Sequence, residues 1–403
     1  MRLIFLTMSG LADVDARGIY NDLMRKFRDE GHEVCIVSPR ERRTREKTHL
    51  DNAGGVHILG VRTLNLQKTS VAEKGIGQVL VELQFKRAIR KYFGDGPFDL
   101  ILYSTPPITF SKVILHLKKA NPSAMTYLLL KDIFPQNAVD LGMLSEKGLK
   151  GLLYRYFRKK EKRLYALSDH IGCMSPANVR YVVGHNPDVR PEKVELAPNS
   201  YELVGRQVLP GEIRRSVREK YSLPVDRPVF VYGGNLGKPQ GIPFLIQCLD
   251  ANADREDCHF VVVGDGTEYS RLETWYETRR PMSVSLFRSL PKEDYDRLLG
   301  ACDFGLIFLD YRFTIPNYPS RLLPYLMEGK PVIAATDPNC DTGAIAERNG
   351  YGLWCPSNDV AAFTRCVDKM LASDTKAMGD AGYRFYSDNY TVAHTYNAIM
   401  NHF

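Results

Sequence analysis

An α/β protein of two Rossmann-like domains is what this sequence predicts, on three observations. Short apolar runs ending in turn residues alternate with segments of helical period. The same alternation starts again past the middle of the chain. The length of 403 residues is about twice an ordinary domain. Strands joined through helices run parallel, and such sheets bind ligands beyond the carboxyl ends of their strands. A cleft between the two domains is the expected binding place.

The first series opens with a strand at Leu3–Leu6, a loop from Met8 to Gly18, a helix over 19–30 and a second strand at Val34–Ser38. Ile19, Leu23 and Phe27 share one helix face, and Gly31 follows as a glycine C-cap. Strands at Asp99–Tyr103 and Ala124–Leu130, with a helix over 110–119 between them, continue the pattern. The second series starts at Pro228–Gly234, with a helix at Ile242–Leu249 behind its glycine turn. It runs on through His259–Gly266, Val284–Phe287, Phe304–Leu309 and Pro331–Ala334. The polar, proline-containing stretch Pro198–Arg227 reads as a linker, so domains of 1–200 and 201–387 are expected.

The composition, 44% hydrophobic and 25% charged, is that of a globular chain and excludes disorder as the main state. No apolar run approaches the roughly 18 residues of a membrane-spanning helix, and Met1–Leu6 is too short for a secretory leader. A cytoplasmic location is expected. Eight cysteines without a C-x-x-C pair read as buried thiols. The histidines form no H-x-x-x-H or H-E-x-x-H pair and there is no G-x-S-x-G, which argues against metal hydrolysis and the α/β-hydrolase class; no metal site is expected.

Between a strand and a helix, Gly233-Gly234-Asn235-Leu236-Gly237-Lys238-Pro239-Gln240-Gly241 lets backbone approach a ligand closely. Its amides and the helix N-terminus favour an anion, and Lys238 adds a charge. With neither a Walker Gly-Lys-Ser/Thr nor a G-x-G-x-x-G, it suits a diphosphate; a glycine-rich turn without a ligand is the alternative. Pro316–Leu323 repeats the arrangement. Pro324 is tolerable only in a helix's first turn, which sets the helix start near Ser320 or Arg321. The amides of Ser320, Arg321 and Leu322 are then open donors beside the Arg321 guanidinium. Two such turns can converge on one diphosphate; otherwise Arg321 is a surface ion-pair partner. Asp265, in Gly264-Asp265-Gly266, reads as a turn or cap residue. Lys131 and Asp132 follow the strand ending at Leu130, where Asp132 can orient a substrate hydroxyl and Lys131 can meet a phosphate; salt-bridged loop residues are the alternative.

Much of the net charge of +7 falls in two segments of the first domain. From Lys147 to Arg163, cations at 147, 150, 155, 158, 159, 160, 162 and 163 meet one acid, Glu161, while Leu149, Leu152, Leu153, Tyr156 and Leu164 recur at helical spacing. Such a basic amphipathic helix lies on an anionic membrane surface or docks on its own domain core. The loop with Arg40, Arg42, Arg43, Arg45 and Lys47 joins it in one cationic patch if both lie on one face. Nucleic-acid binding finds no recognised module.

With its segments in this order, the chain resembles the GT-B nucleotide-sugar glycosyltransferases, in particular the large retaining family that builds bacterial polysaccharides and phosphoinositol mannosides. The resemblance spans nearly the whole length. It rests on Arg17-Gly18, Gly31-His32-Glu33-Val34, Ser168-Asp169-His170-Ile171 with Ser175, Ala197-Pro198-Asn199, Tyr232-Gly233-Gly234 with Gln240-Gly241, Val262-Val263-Gly264-Asp265-Gly266, and Pro319-Ser320-Arg321 with Gly329–Ala334. The runs Lys131–Ala138 and Arg312–Leu323 look most like the branch of O-antigen and capsule transferases that includes N-acetylfucosamine transferases.

The resemblance implies a nucleotide-diphosphate sugar, carried on UDP, held by the second domain and an acceptor held by the first. It also implies a last helix, near residues 388–403, that crosses back onto the first domain. Transfer needs no metal or cofactor, and the donor diphosphate takes the acceptor proton while leaving from the same face. The implied donor contacts are Gly18, Gly234, Asn235, Lys238, Gln240, Gly266, Arg288, Leu290, Ser320, Arg321 and Leu322. Lys131, Asp132, Lys238 and Arg321 are the catalytic candidates; Arg40, Arg42, Arg43, Arg155, Arg158 and Lys159 are the acceptor or membrane contacts. The expected activity is retaining, metal-independent transfer of an N-acetylated sugar to a lipid-linked saccharide in surface polysaccharide synthesis, by a protein peripheral to the inner face of the cell membrane. A nucleotide-sugar epimerase of the same fold and a non-catalytic membrane- or partner-binding subunit are the alternatives. The chain departs from the family's pattern in three respects. Its Glu-x7-Glu pair falls on Pro316 and Pro324, which removes the carboxylate that holds the ribose. The Arg and Lys of the phosphate turn fall on Asn235 and Gln240, and the His before the first-domain Asp is Lys131.

Overall fold

The computed structural model describes residues 1–66, 71–206 and 208–403, and divides into two compact units. One is Met1–Glu202 with Thr391–Phe403; the other is Leu203–Tyr390. Each is built on one sheet of mostly parallel strands, a geometry that needs both faces covered and therefore apolar residues at successive positions. Leu3, Ile4, Phe5 and Leu6 are accordingly all buried.

The first sheet has strands β1 (Arg2–Leu6), β2 (Glu33–Glu41), β3 (His49–Ala53), β4 (Val56–Thr63), β5 (Leu100–Ser104), β6 (Met125–Leu130), β7 (His170–Cys173) and β8 (Val194–Leu196). Their order is β3-β4-β2-β1-β5-β6-β7-β8, with β3 antiparallel to β4. The chain moves outward from β1 through β2 and β4, then returns to lay β5 on the other side of β1. The β3–β4 hairpin and the helix Val71–Phe93 do not follow from the periodicity read above; Gly75 and Gly77 near the helix start lower its propensity. The last helix, Val392–Met400, packs on this unit. Val392 and Ile399 join the core of Leu23 and Phe27, and the Tyr396 ring meets that of Phe27 edge-on at 4.9 Å.

The second sheet has strands β9 (Val229–Asn235), β10 (His259–Asp265), β11 (Val284–Phe287), β12 (Phe304–Phe308), β13 (Val332–Thr336) and β14 (Gly352–Pro356), ordered β11-β10-β9-β12-β13-β14 and all parallel. Strand order reverses between β9 and β12, which opens a crevice at their carboxyl ends.

The expected linker needs correction. Within it, Gly211–Lys220 is a helix of the second unit whose buried residues are one valine, Val217, and one arginine, Arg218. Buried Arg218 donates to the Ala301 carbonyl at 2.9 Å and pairs with Asp303, whose carboxylate also accepts from the first amide of β9. A helix tied down by a charge lacks the apolar stripe that would mark it in sequence. Gln207, in the same stretch, lies outside the described residues. All eight cysteines are buried and unpaired, as expected.

Close backbone approach at the strand tips depends on glycine. A Cβ on Gly264 would lie 1.9 Å from the Gly234 carbonyl oxygen of the neighbouring strand. Gly264→Ala is expected to cost about 2–3 kcal/mol in denaturant unfolding, since backbone must shift to admit the methyl group; a loss below about 0.5 kcal/mol would contradict this packing.

Candidate functional site

At the carboxyl end of β9 the chain turns through Gly233 and Gly234. A Cβ on Gly233 would lie 1.8 Å from the Tyr295 hydroxyl, and Gly234 has φ +122°, where glycine is favoured. The Tyr325 hydroxyl holds the turn, accepting from the Gly233 amide at 3.2 Å and facing the Val231 carbonyl at 3.2 Å. Beyond it the loop is sewn to the tip of β10: the Leu236 amide donates to Asp265 at 3.0 Å and the Glu268 amide to Leu236 at 2.9 Å. This places Gly266 beside the loop, with Asp265 accepting from the Gly266 amide as a turn residue.

Asn235 and Gln240 are bonded to one another. Asn235 Nδ2 donates to Gln240 Oε1 at 2.9 Å, and the Gly237 amide to the same oxygen at 3.2 Å. The two positions where family resemblance leads one to expect Arg and Lys therefore brace the loop. Lys238 is exposed on it, with no ion pair or side-chain hydrogen bond among the described residues.

The other expected turn arrives at the same place. The half-buried Arg321 lays its guanidinium on the Tyr232 ring, 4.4 Å from the centroid, and its Cζ would lie 3.8 Å from a Cβ on Gly234. Its Nη1 is buried without a hydrogen-bond partner, and no carboxylate pairs with it among the described residues. Burial works against this charge, but the oxygens of Tyr232 and Tyr325 outweigh it and hold the group above its ordinary pKa. Arg321 is thus no surface ion-pair partner; it is a cation facing a glycine turn, with one nitrogen unspent.

Leu322 leaves the expected contact set. The helix begins at Leu322 itself, the Leu322 amide donates to the Pro319 carbonyl at 3.1 Å, and its side chain is buried. Only Ser320 and Arg321 keep amides without a partner among the described residues, because a tight turn over Pro319–Leu323 uses the next two. Arg288, past the end of β11, lies over the Tyr269 ring at 4.3 Å and 3.6 Å from Glu273. Half-buried Leu290 also follows β11, which β10 separates from β9.

Sequence reasoning missed Asp310 and Arg312. The Asp310 amide donates to the Pro239 carbonyl at 2.9 Å, and a Cβ on Gly241 would lie 3.2 Å from the Asp310 Cα. Its carboxylate accepts from Arg312 Nε at 2.9 Å and Nη2 at 2.8 Å. Burial raises the Asp310 pKa, but the Arg312 bonds prevail and hold it below the usual range. No spacing marks this pair; the strand order of β9 and β12 brings it to the glycine loop.

In the first unit, Lys131 and Asp132 lie beyond the end of β6. Thr105 Oγ1 accepts from the Lys131 amide at 3.0 Å, Lys131 Nζ donates to the Ala197 carbonyl at 3.0 Å, and Asp132 Oδ1 accepts from Asn137 at 2.7 Å. They form no ion pair with each other or with any described residue. Burial pushes the Lys131 ammonium down to about 7 and the Asp132 carboxyl up to about 6. Both therefore sit near neutrality, where proton exchange with a substrate costs little. Gly18 caps the helix Ile19–Asp29 in this unit, its amide donating to Asp22 at 3.0 Å.

The expected cationic patch is largely dismantled. Arg40 is only 5% exposed and donates to Ser38 Oγ and the Leu11 carbonyl, with Glu46 at 3.1 Å. Arg42 pairs with Glu73 and Arg43 with Glu41. Carboxylates meet three of this loop's five cations, while Arg45 and Lys47 stay exposed. Arg158 is spent on Glu161, the His185 carbonyl and Asn186. Arg155 and Lys159 remain exposed on the helix Gly148–Leu167. Docking on its own domain core holds for part of that helix. Leu164 and Tyr165 dock on the core, whereas Leu149 (87% exposed), Leu152, Leu153 and Tyr156 form a bare apolar ridge. No described helix is long and apolar enough to cross a membrane.

Comparison with known proteins agrees with this architecture. Residues 213–385 match the family model for glycosyl transferases group 1, and residues 19–200 match that for the glycosyl transferase 4-like domain. The chain is similar to "Probable glycosyltransferase WbjE" of Pseudomonas aeruginosa, with 22% identity over 329 residues, 80% of this chain and 78% of that protein. Among solved structures it shares the fold of sucrose-phosphate synthase from Thermosynechococcus elongatus (TM-score 0.76, 15% identity, 99% of this chain and 97% of that one). It also shares that of Anabaena HepE in complex with UDP (TM-score 0.67, 14% identity, 100% and 99%).

A lysine held at about 7 in the fold but near 10.5 when unfolded weakens the fold fully below pH 7 and progressively less up to pH 10.5. Lys131→Met is expected to stabilise the protein by about 1–2 kcal/mol at pH 6, with the gain shrinking as the pH approaches 10. Denaturant unfolding at several pH values measures this, and a gain independent of pH would refute it.

Proposed function

The chain belongs to the group 1 glycosyltransferases, and on that premise we propose that it moves an N-acetylated sugar from UDP to a lipid-linked saccharide, with retention and without metal, in bacterial surface polysaccharide synthesis. One observation carries the reading: the Arg321 guanidinium, its Nη1 buried without a partner and its Nη2 3.8 Å from where a Gly234 Cβ would stand, faces a glycine turn where the strand order of the second sheet reverses. A diphosphate laid on Gly234 gives that guanidinium its counter-charge and leaves the exposed Lys238 for a second contact. Negative charge grows on the departing diphosphate, so cations facing it lower the barrier more than they strengthen ground-state binding. The complex of HepE with UDP, on the same fold, supports a uridine diphosphate carrier.

The missing ribose carboxylate has a candidate substitute in Asp310, which meets the same loop from the end of β12. In the first unit, Asp132 orients a substrate hydroxyl and Lys131 meets a phosphate, roles that suit two half-buried groups titrating near neutrality. The lipid-linked acceptor is supported by the ridge of Leu149, Leu152, Leu153 and Tyr156. With Lys150, Arg155 and Lys159 exposed around it, it suits the headgroup boundary of an anionic membrane at its inner face.

Incubating the purified protein with UDP-sugars and a polyprenyl-diphosphate sugar is expected to give acceptor-dependent transfer. Arg321→Ala should lower kcat by about 10²–10³-fold and Lys238→Ala by about tenfold, with unchanged thermal midpoints. Wild-type rates in both variants would remove the phosphate assignment, and donor conversion without acceptor would favour epimerisation. Sedimentation with anionic vesicles tests the ridge: Leu149→Glu combined with Leu153→Glu should reduce binding at least tenfold, and undiminished binding would rule the ridge out.

A further inference from the structure

At the opposite end of the same strands from Lys131, the first unit brings together two imidazoles and a carboxylate. Tyr127 of β6 pairs with His170 of β7, and Gly172 of β7 with Glu195 of β8, so all four positions share one face of the sheet. Gly172 leaves the space they need, since a Cβ there would lie 2.8 Å from the Tyr127 hydroxyl and 2.5 Å from the Ala197 Cβ. Across that gap the Tyr127 hydroxyl donates to Glu195 Oε1 at 2.7 Å. His402, just past the last helix, comes down on the same face. Its Nε2 donates to the same oxygen at 2.8 Å, and its ring stacks on that of His170 with centroids 3.5 Å apart. The Nδ1 of His170 is buried with no partner.

We propose that His170, Glu195 and His402 form a binding site for a divalent transition-metal ion of the zinc type, and that the ion staples the returning C-terminal segment to β7 and β8. Two imidazole nitrogens and one carboxylate oxygen are a ligand set such ions take, with a fourth position left for water. The ligating atoms lie within 4.8 Å of one another. Ligands of a tetrahedral ion stand about 3.3 Å apart, so a modest closure suffices. Stacked rings cannot both point at one ion, and a rotation of the His402 side chain unstacks them. The Tyr127 hydroxyl donates to the carboxylate, as outer partners of metal ligands do. Tyr127 precedes Lys131 by four residues of extended chain, about 13 Å. The ion therefore takes no part in sugar transfer, and the inference does not rest on the proposed function.

Chelator-treated full-length protein without a histidine tag, titrated calorimetrically with zinc chloride, is expected to bind one equivalent and to gain several degrees in thermal midpoint. Cobalt(II) should give a visible spectrum of tetrahedral intensity. His402→Ala and Glu195→Gln should each weaken zinc binding at least tenfold and abolish the thermal shift. Both should fold, because residue 402 lies outside the sheets and glutamine keeps an acceptor for Tyr127. Absence of stoichiometric binding, binding unaltered in both variants, or equal affinity for magnesium would overturn the proposal.

Discussion

Among the described residues no carboxylate meets the Arg321 guanidinium, so its surroundings in the second unit must offset the burial of that charge. The Tyr232 ring supplies a π face, the Tyr325 hydroxyl pins the adjoining turn, and Gly234 keeps the space before the guanidinium clear. None of these replaces a counter-ion. What remains is a preference for an anion at a glycine turn. Asn235 and Gln240, by bonding to each other, keep the turn open and leave the positive charge to Arg321 and Lys238.

The first unit uses its charges differently. Arg40 and Arg158 satisfy carbonyls, hydroxyls and carboxylates around them, so they shape loops and are not available to a ligand. The exception is the first half of the Gly148–Leu167 helix, where leucines stand in solvent beside lysines. An exposed apolar ridge is the more informative departure, because apolar groups carry no internal reason to stay outside.

Strands of a covered parallel sheet are apolar at every position, so most of them were legible as short runs, and their ends fell within a few residues. The helix Gly211–Lys220 was not legible, because Arg218 does the anchoring that an apolar stripe would otherwise reveal. Among candidate site residues, Lys131 and Asp132 follow β6 directly, Gly234 and Lys238 lie at and just past the tip of β9, and Arg321 precedes a helix whose start its prolines restrict, so all were marked by short-range pattern. Leu322 was misread: whether an amide is open depends on where a turn closes, and Pro319 closes it one residue late. Asp310 escaped notice because its meaning comes from Gly241, far away in sequence.

The sequence by itself determined most strands of the two sheets and the glycine and proline turns, since these depend on period, glycine and proline, which act over a few residues; the return of the last helix was implied by family resemblance alone. Only the tertiary structure decided which charges are free. Arg40 and Arg321 are alike as letters, yet one is surrounded by acceptors and the other by rings. It also decided which distant groups meet, as His170, Glu195 and His402 do. Local pattern sets backbone conformation, but the state of a polar side chain depends on what the crossing strands bring beside it, and that is a long-range property.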